Sequence, residues 1–207
     1  GETQKTVRHV FAGRHLLGVK AVAARMRGVE QTPIEVTVRD RSGPVAGADV
    51  VFSPAGEEGR YARARTDEQG RIESHLPPGK WQAFVSHHAR GESNVALELH
   101  GGAYASISAE LPQAGYVTGV VTDDAGKPIP CKVDFSAQQE GLPAPEFGPD
   151  SAVYGVRNLV YTPDGQFRVA VRPGKYDLLI SHGPEYDVAN RTVDVAAGEV
   201  AEVAAQL

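Results

Sequence analysis

The sequence predicts an all-β protein of two tandem β-sandwiches, and three observations carry that prediction. Residues 78–87, Pro-Gly-Lys-Trp-Gln-Ala-Phe-Val-Ser-His, return 95 residues later at 173–182 as Pro-Gly-Lys-Tyr-Asp-Leu-Leu-Ile-Ser-His. An internal repeat of this size means two copies of one structural unit. Of 207 residues, 23 are Gly and 14 are Pro, and apolar residues come in runs of four to eight bounded by Gly, Pro and Asp, as in a domain of short strands. Third, each run alternates apolar with polar residues, the mark of a strand buried on one face.

Residues 1–33 form a basic N-terminal extension, with Lys5, Arg8, Arg14, Lys20, Arg25 and Arg27 against Glu2 and Glu30. Two periodicities compete there. Val19, Val22, Ala23 and Met26 recur at helical spacing with the charges elsewhere on the wheel, whereas Val22, Ala24 and Met26 alternate as in a strand; the helix is preferred. The expected role of the charge is a solvated face or a patch that docks on an acidic sandwich.

The first sandwich is assigned to 34–112. Ile34, Val36 and Val38 point inward, then 39–43 turn on Asp40, Ser42 and Gly43, whose side chains and backbone suit a tight turn. Ala48, Val50 and Phe52 form the next inward set. Gly70 turns the chain into Ile72, Ser74 and Leu76, and the Pro-Gly-Lys turn leads into Trp81, Ala83 and Val85. A closing strand near 102–111 has its counterpart at 198–207. Residues 111–116 are too short for a free linker, so the two domains are expected to touch.

The second sandwich, 115–207, repeats each step: Gly119 and Val121, the turn 122–126, then Cys131, Val133 and Phe135, the turn at Gly165, Phe167, Val169 and Val171, and the strand of Tyr176, Leu178 and Ile180. Between Phe135 and Gly165 it carries 12 extra residues, placed in an insertion at 136–157. Long loops in compact domains are functional or packed as Ω-loops, and for this one covering an edge strand and contacting a neighbouring domain or ligand are both open. Trp81 and Tyr176 share a repeat position in the inward phase, which makes both rings core; a sugar-stacking platform needs aromatics in the opposite phase. Cys131, the single cysteine, cannot form an intrachain disulfide and alternates in register with core residues.

Function classes narrow by exclusion. Net charge is −5, and with +4 in residues 1–33 the two repeats together carry −9, a poor match for nucleic acid. No apolar stretch approaches the length of a membrane span. Asp123 and Asp124 offer carboxylates to calcium, yet no twelve-residue loop ending in Glu follows, and turn chemistry accounts for both. No phosphate loop or nucleophile elbow is present, and no cofactor is implied. His87, His88 and Glu92 in one copy and His182 and Glu185 in the other follow equivalent strands, and His-x-x-Glu can chelate; neither set reaches three ligands, so strand-end capping is the expected role.

Two units built as strand, Gly126-Lys127-Pro128-Ile129-Pro130 turn, strand, Pro163-Asp164-Gly165 turn, strand, Arg172-Pro173-Gly174-Lys175-Tyr176, strand resemble the carboxypeptidase regulatory-like domain, also called transthyretin-like or prealbumin-like. The resemblance covers 34–207. It implies a seven-stranded Greek-key sandwich for each copy and an accessory role beside secreted enzymes and receptors. Pro145-Glu146-Phe147-Gly148-Pro149 and Ser181-His182-Gly183-Pro184-Glu185-Tyr186 resemble the region ahead of the catalytic domain in bacterial metallohydrolases of the polymerase-and-histidinol-phosphatase (PHP) type. That likeness implies metal ligands beyond Leu207 and none within the chain. Related hydroxyisourate hydrolases end in Tyr-Arg-Gly-Ser; this chain ends Val-Ala-Ala-Gln-Leu and departs from that pattern.

The expectation is therefore a non-catalytic accessory module that positions a catalytic or neighbouring domain, with any catalysis beyond Leu207. A carbohydrate- or peptide-binding module is the alternative. Contact residues are expected in the second copy, at Phe147, Tyr154, Glu185 and Tyr186; His87, His88, His182 and Glu185 are the weak metal candidates. The chain begins with Gly rather than Met, so it is processed or a fragment, and the expected compartment is periplasmic or extracellular.

Overall fold

The computed structural model describes residues 6–57, 59–147 and 157–207. Two compact units result: Gly1–Ser86 with Glu92–Leu111, and His87–Gly91 with Pro112–Leu207. Each is a β-sandwich.

The first unit opens with a helix, α1 (Leu16–Met26). His15 caps it: the ring Nδ1 accepts the Gly18 amide at 3.0 Å, satisfying one of the donors that a helix N-terminus leaves without a partner. Arg25 in the last turn suits the negative end of the helix dipole.

Eight strands follow: β1 (Thr32–Asp40), β2 (Gly43–Pro44), β3 (Asp49–Pro54), β4 (Ala62–Arg65), β5 (Arg71–Leu76), β6 (Gly79–His87), β7 (Gly91–Leu99) and β8 (Ala105–Glu110). One sheet orders β2-β1-β5, with β8 parallel to β1; the other orders β4-β3-β6-β7. Alternation turns Ile34, Val36, Val38, Val50, Phe52, Ala83 and Val85 into one core, as period-2 patterning requires.

The second unit repeats this plan with β9 (Gly115–Thr122), β10 (Cys131–Ala137), β11 (Leu159–Thr162), β12 (Gln166–Val171), β13 (Gly174–Ser181), β14 (Ala189–Val195) and β15 (Val200–Gln206). Its sheets order β12-β9-β15, with β15 parallel to β9, and β11-β10-β13-β14. The short β2 is matched by an isolated bridge between Thr122 and Pro128. The fold is thus the all-β pair of sandwiches that the sequence predicts.

Both aromatic repeat positions are core, and both are tied down the same way. Trp81 Nε1 donates to the Pro77 carbonyl at 3.0 Å, and Tyr176 Oη donates to the Arg172 carbonyl at 2.7 Å. Each buried ring thereby satisfies its polar atom on the turn four residues earlier. Burial pushes the Tyr176 hydroxyl up to about 12.

The open side of each sandwich, between the two edge strands, is closed differently in the two copies. In the first, α1 packs across β4 and β5 and sends Leu17 into the core. Lys20 Nζ donates to the Tyr61 carbonyl and lies 4.2 Å from that ring's centroid, and Tyr61 in turn packs edge-on against Trp81 at 4.9 Å. This corrects the helical face read from the sequence: Leu17 and Ala21 are buried, while Val22 and Met26 are exposed. A basic side chain marks the docked face, because its ammonium meets a carbonyl and a ring rather than water.

In the second copy the insertion does this work. Leu142 and Phe147 pack against the core, and Phe147 meets Phe135 edge-on at 5.0 Å. The loop closes on itself where Phe147 N donates to the Arg157 carbonyl at 3.0 Å and Arg157 pairs with Glu146. Among the described residues, no helix is long and apolar enough to cross a membrane.

Two outcomes are expected. The chain's one tryptophan, Trp81, sits in the first core, so its fluorescence reports that unit. Leu17→Ala should lower the first unit's unfolding free energy by about 3 kcal/mol in a denaturant titration; an unchanged midpoint would show that α1 does not seal the sandwich. The second concerns pH. Burial, reinforced by Arg14, holds His15 below its ordinary value against its own backbone hydrogen bond, and burial and then Arg25 do the same for His75 on β5. Depressed histidines favour the neutral folded form, so their contribution is complete above the unfolded value and lost as pH falls below it. The first unit's melting temperature should drop from about pH 7.5 to about pH 5.5. His15→Asn keeps a cap acceptor that does not titrate, and should show a shallower drop; equal slopes would rule the cap out.

Candidate functional site

The residues expected to form one contact patch are not brought together. Phe147 lies at the Phe135 end of β10 with its ring against the core. His182 and Tyr186 lie at the Pro130 end: His182 Nδ1 donates to the Pro130 carbonyl, and its ring meets Tyr186 edge-on at 4.4 Å. Four residues of extended strand, about 13 Å, separate the two ends. The Phe147 ring is already used in closing the sandwich. Tyr154 lies outside the described residues.

Tyr186 and Glu185 sit in a turn in which the Tyr186 amide donates to the Gly183 carbonyl at 3.3 Å. The Glu185 carboxylate folds back over Gly183, with Oε2 3.3 Å from where a Cβ there would stand. His87 and His88 stack at 4.3 Å, and His87 Nδ1 accepts the Ala89 amide at 3.2 Å. That nitrogen shapes a turn. Among the described residues, no three His, Cys, Asp or Glu side chains stand together to hold a metal.

Strand register reveals what sequence inspection passed over. Lys132 on β10 is flanked by Tyr161 on β11 and Ser181 on β13, and Asp134 by Leu159 and Leu179. These residues point away from the core. On that outer face Tyr161 is 75% exposed, Leu179 46% and Val188, just before β14, 56%. Tyr161, Lys132, Ser181 and His182 line a shallow cavity of about 540 Å³. Tyr186 meets His182, one of the lining residues, edge-on.

The first unit has an equivalent face. Phe84, the repeat counterpart of Leu179, is 47% exposed and lines a groove of about 910 Å³ on the outer surface of β3, β6 and β7. Both residues were legible as apolar side chains in the outward phase of a one-sided strand, opposite to Trp81 and Tyr176. Inward alternation drew attention to the core and hid them.

No protein-family model matches the chain, and no curated protein sequence is similar to it. Solved structures similar to it include the Bacillus anthracis TIE protein, at 15% identity and TM-score 0.39 over 86% of this chain and 34% of that one. Others are a streptococcal ancillary pilin, at 14% identity and TM-score 0.40 over 86% and 62%, and the shaft pilin SpaA of Lactobacillus rhamnosus GG, at 14% identity and TM-score 0.43 over 84% and 97%. The chain spans about a third of the Bacillus protein and under two thirds of the ancillary pilin. So few shared residues transfer no side-chain role.

Cys131 also borders the cavity, though its side chain is buried. Burial, and then the Asp164 charge, push its thiol up, which keeps it from the reactive thiolate form. Iodoacetamide should therefore alkylate the native protein about tenfold more slowly than the urea-unfolded chain; matching rates by mass spectrometry would show the thiol to be accessible and activated.

Proposed function

We propose that this chain is a non-catalytic scaffold that docks a catalytic domain of the same longer protein on the outer face of its second sandwich. The observation that carries the reading is that Tyr161, Leu179 and Val188 are all exposed on one sheet face, interleaved with Lys132 and Ser181. Covering such side chains removes apolar surface from water, and the Lys132, Asp134 and Ser181 side chains between them make this a mixed surface of the kind that non-obligate partners share. Lys132, between Tyr161 and Ser181, and His182 line the cavity there and add polar groups to the surface.

The likeness of Pro145-Glu146-Phe147 and of 181–186 to the segment ahead of a PHP-type metallohydrolase domain supports the choice of partner. So does placement: Tyr186 of that segment sits beside the patch, held by His182. Phe147 supports the docked unit from within, as part of its core. A periplasmic or extracellular setting belongs to the same reading.

Sequencing the gene past Leu207 should reveal a further domain with His-rich metal-ligand motifs; an immediate stop codon would overturn the proposal. In the longer protein, Tyr161→Asp with Leu179→Asp should speed tryptic cleavage at the domain junction several-fold while the melting of the isolated chain stays unchanged. Cleavage at the parental rate would mean that this face is not the docking surface.

A further inference from the structure

We propose that the outer face of the first unit's four-stranded sheet binds a neutral oligosaccharide, with Phe84 as the stacking ring and Gln82 and Asn94 as hydrogen-bonding groups. This site is independent of the docking face, which lies on the other unit. The groove of about 910 Å³ falls within the size of small-ligand sites, which combine apolar lining with a few placed polar groups.

Phe84 lies in the middle of β6, in the outward phase, 47% exposed. It is half uncovered in a strand whose neighbours Ala83 and Val85 are fully buried. An aromatic face held rigid by a sheet loses little conformational freedom when a flat apolar surface covers it, and the C–H face of a pyranose is such a surface. Gln82, on the same strand two residues away, accepts the Asn94 side-chain amide from β7 at 3.0 Å. The two amides fix each other, leaving the Gln82 NH₂ as donor and the Asn94 carbonyl as acceptor. Sugar hydroxyls, which donate and accept, match that pair. Ser53 on β3 adds a third group of this type.

Charge excludes other ligands. The groove's described ionisable groups are Arg60 against Glu57 and Glu92, so no cation cluster is present to neutralise phosphates. An extended peptide adds to a free sheet edge through its main chain; Phe84 and Gln82 stand on the face of β6, which is paired on both sides, and the groove reaches the edge strand β7 only through the side chains of 92–94.

The purified chain should be titrated with cellohexaose, maltohexaose and chitohexaose by calorimetry, with a random extended-peptide library as the second arm. Binding of at least one hexaose is expected, weakened about tenfold or more by Phe84→Ala and several-fold by Gln82→Ala. Leu179→Ala should leave it unchanged. Phe84 is exposed, so its variant should melt with the parent and keep the test clean. No binding of any hexaose at millimolar concentration, binding that survives Phe84→Ala, or peptide binding lost with Phe84→Ala would each overturn the proposal.

Discussion

Each sandwich depends on one place where backbone meets backbone without room for a side chain. In the first unit the Val38 amide donates to the Gly70 carbonyl at 2.8 Å, and the Val45 amide donates to the Val38 carbonyl at 2.9 Å. In the second, Val121 donates to Gly165 at 2.8 Å and Ile129 to Val121 at 3.1 Å. Two of the first unit's four chain crossings between sheets, β2 to β3 and β4 to β5, converge at this corner. A Cβ on Gly70 would stand 2.6 Å from the Val38 oxygen, and one on Gly165 2.6 Å from the Val121 oxygen. Both glycines have φ near +70°, a conformation that other residues adopt at a cost. The corner fixes where the chain enters β3 and β5, and from there the period-2 register decides which phase of each strand faces inward.

That phase is what the sequence made legible. Repeat spacing located both glycines, and alternation placed Val50, Phe52, Val133 and Phe135 inside, because a two-layer sandwich buries one face of each strand and local pattern suffices to say which. The aromatic position was legible for the same reason. Its tether was not, since a ring nitrogen or hydroxyl reaching a carbonyl four residues back depends on how the Pro-Gly turn folds, which period-2 patterning does not encode.

Three features stayed out of reach because they come from tertiary packing. The docked face of α1 contains Lys20, and a rule that sorts charges to water put that face outward. For the insertion that carries Phe147, the sequence left two roles open, covering an edge strand or contacting a neighbour, and local pattern does not say that the ring packs on the core beside Phe135. Phe84 and Leu179 were visible as outward apolar residues, but only the sheet order set them beside a groove or a patch. In each case the missing information was which neighbour stands across from the side chain.

The shared Ser-His ending of β6 and β13 shows how one repeat position comes to serve two ends. His87 accepts an amide through Nδ1 and shapes its own turn; His182 donates through the same atom to Pro130, across the sheet, and turns its ring to Tyr186. The two therefore hold opposite tautomers at the nitrogen that meets the backbone. Core positions lack that freedom, because a volume change on the inner face is felt by both sheets. Divergence between the copies accordingly gathers at strand ends and on outer faces, where Phe84 shares a groove with amides and hydroxyls and Leu179 stands between Asp134 and Asn190. Like cores therefore leave the two halves free to carry unlike surfaces.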